Sequence, residues 1–204
     1  KHVVLMHEGR VLEQGAAEDV ADEYLKRAKV RGNDKMSAAN RSTDAYPRWG
    51  SGEIRTEEVE LFSGDERTNV FEPGAPFQAR IHFEVLEDCK QPVFGLGVYR
   101  SDGTYVNGSN HCWRKSPIAI PTLKKGHKGY ADLSFGSLPI LQGHYYITVF
   151  CYDHSKPAPT PIDHREHAAV FQVLDADHRQ HGVLLLPSRW EVTVRGGEQS
   201  LSEE

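Results

Sequence analysis

Histidines and carboxylates supply most of the reactive groups in this chain. Eleven histidines occur in 204 residues, and they gather in two runs, Asp163-His164-Arg165-Glu166-His167 and "DADHRQH" at 175–181. Such runs offer metal ligands or, in Asp163 with His164, an acid/base pair. Neither chemistry is completed by its surroundings. The HxxEH, HExxH and Cys/His-finger spacings are missing, and no partner nucleophile stands beside Asp163 and His164. Both runs read as polar residues between strands, where solvation is normal. There is no GxxxxGK[ST] phosphate loop and no GxSxG nucleophile elbow. No catalytic residue and no metal ligand is therefore assigned. A glycan-cleaving enzyme would need acids paired across a cleft. Asp132, Asp153 and Asp163 are available, but the sequence places no two of them together.

Binding chemistry is better supplied. In "GHYYITVFCYDH" (143–154), Tyr145, Ile147, Val149 and Cys151 form one apolar face of a strand. The opposite face carries Tyr146, Phe150 and Tyr152, wetted only by Thr148 and the flanking His144 and His154. Large rigid rings on an outer face suit the apolar faces of sugar rings, because they offer contact area at little entropy cost. They suit a second subunit equally. In "PVFGLGVYR" (92–100), Gly95 and Gly97 share a side with Tyr99, opposite Phe94, Leu96 and Val98. If the aliphatic set is core, the glycine side is a groove where a ligand or a neighbouring ring approaches the backbone. The hairpin "RSDGTYVNGSNHCW" gathers Arg100, Asn107, Asn110, His111 and Trp113 near one end of the sheet. Amides, an imidazole and an indole read hydroxyls or a carboxylate. By strict alternation Arg100 falls on the Phe94 side, so it joins such a site only where the strand ends or twists. Asn107 and Asn110 flank Gly108 and also fit plain turn chemistry.

The elements that must position these residues are strands. Residues 51–194 alternate apolar and polar positions between Gly, Pro, Asp and Asn turns, with strands expected at 53–62, 76–85, 92–100, 104–108, 129–135, 143–153, 167–174 and 190–194. In the second, Phe77, Ala79, Ile81, Phe83 and Val85 point inward against Gln78, Arg80, His82 and Glu84. The fold class is all-β, an immunoglobulin-like antiparallel β-sandwich. A short hairpin, "HVVLMHEGRVLEQG", and a helix, "AAEDVADEYLKRA", precede it within residues 1–28. Residues 29–50 are polar, basic and aperiodic and read as a linker, and 195–204 as a frayed acidic tail.

A net charge of −5 without a clustered basic footprint argues against nucleic acid. No apolar run approaches membrane-spanning length. Cys89, Cys112 and Cys151, an odd set without CxxC spacing, point to reduced thiols in a cytoplasmic compartment. The first residue is Lys1, which suggests a piece of a longer polypeptide.

Residues 1–25 resemble the exit of an ABC-transporter ATPase domain, where a last hairpin is followed by a helix with a Val…Tyr signature. The matching positions are Leu5, Gly9-Arg10-Val11, Gly15, Val20 and Tyr24. Three further segments, "VELFSGDERTNVFEPGAPFQARIHFEV", "PVFGLGVYRSDGTYVNGSN" and "LPILQGHYYITVFCYDH", resemble the C-terminal domain of Wzt-type subunits, which energise O-antigen export. The resemblance implies the end of an ATPase domain at 1–28, a linker at 29–50, a carbohydrate-binding β-sandwich at 51–194 and a flexible tail at 195–204. It implies a homodimer on the cytoplasmic face of the bacterial inner membrane, joined to a transmembrane subunit through the ATPase domain. The ligand would be an undecaprenyl-linked O-polysaccharide, read at a capped non-reducing end. ATP and Mg would bind the upstream domain, leaving this segment without a cofactor or an enzymatic activity. The candidate reader residues come from strand alternation: Tyr99, Tyr146, Phe150 and Tyr152 as ring surface, with Arg100, Asn107, Asn110, His111 and His154 as polar groups. The alternative is a dimerisation domain that makes no glycan contact.

Overall fold

The computed structural model describes residues 2–7, 9–17, 19–20, 23–24, 27, 46–112, 120–155, 158–174, 180–193 and 200–202. The first hairpin pairs β1 (His2–His7) with β2 (Arg10–Ala16) through a turn at Gly9, whose φ of 76° favours glycine. Ala16, the first residue of the expected helix, ends β2; residues 17, 19–20, 23–24 and 27 are helical, and the remainder of that helix lies outside the described residues. So do residues 29–45 of the expected linker, Trp113, and Asp175 to Arg179 of the second histidine run.

Two antiparallel sheets follow. The smaller has four strands in the order β10 (Lys128–Phe135), β7 (Phe77–Val85), β4 (Ile54–Ser63), β5 (Glu66–Arg67). The larger orders β3 (Arg48–Trp49), β12 (Thr160–Val173), β11 (Gly143–Asp153), β8 (Pro92–Arg100), β9 (Tyr105–Asn110), with β6 (Val70–Phe71) added parallel to the end of β12. The alternation read from the sequence explains how they stack. Phe77, Ala79, Ile81, Phe83 and Val85 of β7 are buried, and so are Tyr145, Ile147, Val149 and Cys151 of β11. With Leu61, Leu96, Val98, Ala169 and Phe171 these side chains form the core between the sheets. Each large apolar side chain so buried contributes about 1.5–3 kcal/mol. The hydroxyl of Tyr145 donates to the Leu141 carbonyl at 2.7 Å, so its burial leaves no orphan polar group.

Three elements extend beyond their sequence reading. Residues 46–50, grouped with the linker by composition, supply β3, which pairs with His164 and Arg165. Strand β12 begins at Thr160, so the first histidine run lies inside a strand and not between strands. It also carries a bulge: Ile147 opposes Ala169 while Val149 opposes Arg165. Finally, β13 (Glu191–Thr193) pairs with β14 (Ser200–Ser202), which lies in the run expected to fray.

The outer face of the smaller sheet is ionic. Arg80 donates twice to Asp132 at 2.9 Å and lies 4.1 Å over the Tyr130 ring, and His82 meets Glu60 at 2.7 Å. These groups satisfy one another in solvent. The outer face of the larger sheet is different in kind.

Candidate functional site

Rings line the larger sheet in two columns: one crosses the strands, and the other crosses from β3 to β11 and then follows β11. The first runs Tyr46, His167, Tyr146, Tyr99, Tyr105. Its successive centroid distances are 3.9, 3.7, 5.1 and 4.9 Å, and the first three pairs lie within 11° of parallel. The second runs Trp49, His164, Phe150, Tyr152 at 4.5, 6.4 and 5.6 Å. Strand spacing of about 4.8 Å makes the walk from β3 to β9 about 19 Å long. The first column therefore lines a strip long enough for an extended ligand.

Sequence and backbone together produce this arrangement. Register places Tyr146 beside Tyr99, Phe150 beside Gly95, and Thr148 beside Gly97 and then Gly108. The glycines give the rings room. A Cβ on Gly95 would stand 2.2 Å from Phe150 Cε2, and one on Gly108 would stand 1.8 Å from the Tyr105 hydroxyl. The groove expected over the glycines is thus filled by neighbouring rings. His167 joins its column through the bulge in β12, where its φ of 48° is left-handed, a region that histidine visits more readily than most side chains. The two extra residues on β12 re-aim the imidazole flat onto Tyr146.

Burial sets the electrostatics. His164 and His167 are held below the ordinary histidine value by desolvation, against the opposing pull of Glu166, and for His164 also of Asp163. Neither Nδ1 has a hydrogen-bond partner among the described residues. Both rings are neutral at pH 7. Burial also raises the hydroxyl pKa of Tyr99 and Tyr146, with Glu166 adding to the same direction. The unfolded chain takes up protons near the ordinary histidine value of about 6.5, and the folded chain only below it. Stability should be complete above that pH and fall as pH drops below it. Thermal melts at pH 7.5 and 5.5 should show the fall, and the double variant His164→Gln/His167→Gln should flatten it.

The lead-in strand is anchored beneath the second column. Asp163 is 4% exposed and accepts four hydrogen bonds: from Arg48 Nε at 2.9 Å, Arg48 Nη2 at 2.7 Å, and the backbone N–H and Oγ1 of Thr56, each at 2.7 Å. Arg48 Nη2 also donates to the Thr56 carbonyl at 2.7 Å. One carboxylate thereby ties β3, β12 and β4 together. It is a buried structural acceptor, with one of these bonds on Oδ1 and three on Oδ2. Among the described residues, no group of three or more His, Cys, Asp or Glu is placed to hold a metal ion.

Of the residues expected to read a ligand, Tyr99, Tyr146, Phe150 and Tyr152 converge on this face. The others lie elsewhere. Arg100 opposes buried Tyr145 and lies 3.8 Å from Asp102, and Asn107 opposes core Val98. His154 is exposed, its N–H bonded to the Gln91 carbonyl beyond the end of β11. Asn110 and His111 line a cleft of about 80 Å³ between β9 and β10, with Ile81, Phe94 and Leu133. That is smaller than the roughly 150 Å³ of an enclosed cavity that holds a benzene. Five further rings belong to the face: Tyr46, Trp49, Tyr105, His164 and His167. The bulge and the long-range docking of β3 hid all of them but Tyr105, which lies in the strand expected at 104–108. The stacking also changes the role of Tyr146, whose two faces are taken by His167 and Tyr99, so it presents an edge and a hydroxyl.

The family profile of the Wzt C-terminal domain matches residues 46–186 and so begins at Tyr46. No curated protein matches the chain. Among solved structures, the chain is similar to a crystal structure of the C-terminal domain of Wzt. The TM-score is 0.65 with 17% identity, over 72% of this chain and 89% of that one. A Niemann-Pick type C2 protein from the Japanese carpenter ant aligns at a TM-score of 0.41 and 14% identity, over 64% of this chain and 98% of that one.

Proposed function

Because the chain belongs to the Wzt C-terminal domain family, a non-catalytic domain of the O-antigen ABC transporter's ATPase subunit, we propose that its ring-lined sheet face binds the polysaccharide being exported. The observation that carries this reading is the pair of aromatic columns on one outer face, set against the self-paired ionic face of the other sheet. Aromatic edges, tyrosine hydroxyls and neutral imidazoles together supply apolar contact and hydroxyl-matching polar atoms, which is what a sugar chain needs. The ligand is the O-polysaccharide, undecaprenyl-linked and read at a capped non-reducing end. The setting is the cytoplasmic face of the inner membrane, in a dimeric subunit that meets the transmembrane component through its ATPase domain. ATP and Mg belong to that domain.

Affinity is expected between millimolar and micromolar, about −4 to −8 kcal/mol. Tyr146 is the middle of the first column, and Tyr146→Ala removes the support of both neighbours. It should weaken binding by about 1–3 kcal/mol, and Tyr152→Ala by a similar amount. Titration of the domain with the source strain's O-polysaccharide measures this. Equal affinity for wild type and both folded variants would remove the face as the site.

A dimerisation surface competes for the same rings. Light scattering on Phe150→Ser separates the two readings: a dimer that becomes monomeric while it still binds glycan assigns the face to the second subunit.

A further inference from the structure

The rings with open faces stand at the outer ends of the columns, not in their middles. Tyr46 is 44% exposed and Trp49 is 48% exposed, and each spends one face on a histidine, at 3.9 and 4.5 Å. Both belong to the lead-in segment, which carries them onto the edge of the larger sheet. The anchor lies between them in sequence: Arg48 grips Asp163 with two guanidinium nitrogens, and the Pro47 carbonyl accepts from the Glu166 N–H at 3.1 Å. Arg48 and Trp49 pair with Arg165 and His164 in the ladder. The segment is therefore fixed at every residue from Tyr46 to Trp49.

We infer that Tyr46 and Trp49 are sugar-stacking residues at the β3 edge of the proposed glycan face, and that the Arg48–Asp163 pair positions them. This inference rests on the glycan reading of that face. A pyranose needs a ring whose face is free, and mid-column Tyr146 and His167 have none. The consequence is a coupling. A sugar lying on Tyr46 and Trp49 holds the segment at which the chain joins the sandwich, so occupancy and docking of that segment stabilise each other reciprocally. Sugar binding at one edge of the domain is then felt by the chain that precedes residue 46.

The test uses the whole chain and the O-polysaccharide of the source strain, released from its lipopolysaccharide by mild acid. Tyr46→Ala and Trp49→Ala should each weaken binding about ten-fold, and Trp49→Phe should retain most of it. Arg48→Lys keeps the charge and loses the two-pronged grip. It should weaken binding while the melting of the sandwich stays cooperative. Hydrogen exchange at the Trp49 and Glu166 amides should slow when polysaccharide is added. If the wild-type chain binds no polysaccharide, the glycan reading itself falls. If the wild type binds and both Tyr46→Ala and Trp49→Ala bind equally well, the glycan reading stands and this inference is overturned.

Discussion

Asp163→Ala is expected to lower the stability of the sandwich by about 3–5 kcal/mol, because removing one partner of a buried ion pair strands the other. Four donors would lose their acceptor at once. Two of them belong to Thr56, which is fully buried and cannot turn to water. Arg48 keeps 29% of its side chain exposed and recovers some hydration, which places the loss at the lower end of the range. A loss of about 3 kcal/mol lowers Tm by about 10 °C for a domain of this size. Asp163→Asn keeps the shape and part of the hydrogen bonding, so it should fall between wild type and Asp163→Ala. Denaturant unfolding of the three proteins checks the order. A loss below about 0.5 kcal/mol for Asp163→Ala, the level of ordinary surface changes, would show that the carboxylate does not tie the sheets together.

Gly50→Ala should be nearly as damaging, through the backbone. Gly50 has a φ of 141°, where a side chain is strained. Its added Cβ would stand 2.2 Å from the Ile162 carbonyl oxygen, 2.5 Å from the Ile162 carbonyl carbon and 2.8 Å from the Asp163 amide nitrogen. No side chain can swing aside, since every neighbour is main chain. Either Ile162 shifts in the core or the lead-in strand lifts from β12. Strain and overpacking each cost about 1–3 kcal/mol. Lifting is the cheaper escape, and it would carry Trp49 off His164. A folded Gly50→Ala protein should therefore show faster hydrogen exchange at Glu166, whose N–H is held by Pro47. Unchanged melting and unchanged exchange would contradict the close approach.

Much of the fold was legible because alternation is a local property. The inward set of β7 and the inward set of β11 follow from period two alone, and both are buried. The ring cluster at Tyr99, Tyr146, Phe150 and Tyr152 was legible for the same reason. Other parts depend on partners far away in sequence. Tyr46 and Trp49 sit in a polar run without period, and they gain a place only because Arg48 meets Asp163, 115 residues on. His164 precedes and His167 sits within a bulge that breaks alternation, so a strand looked like a solvated loop. Their one available signal was the aromatic outer face of β11, which needs flat neighbours on the adjoining strand. Arg100 and Asn107 were nominated by nearness along a hairpin, whereas register places them opposite buried Tyr145 and Val98.

The most direct test of the glycan face compares the two outer faces in one experiment. Wild type, Tyr146→Ala and Tyr130→Ala are titrated with the source strain's O-polysaccharide, each protein first shown to melt cooperatively. Tyr130 is an exposed ring on the ionic face, 57% accessible, and serves as the matched control. The expected result is binding by wild type and Tyr130→Ala with about ten-fold or greater loss in Tyr146→Ala. Loss in Tyr130→Ala with Tyr146→Ala unaffected would contradict the account and move the site to the opposite sheet.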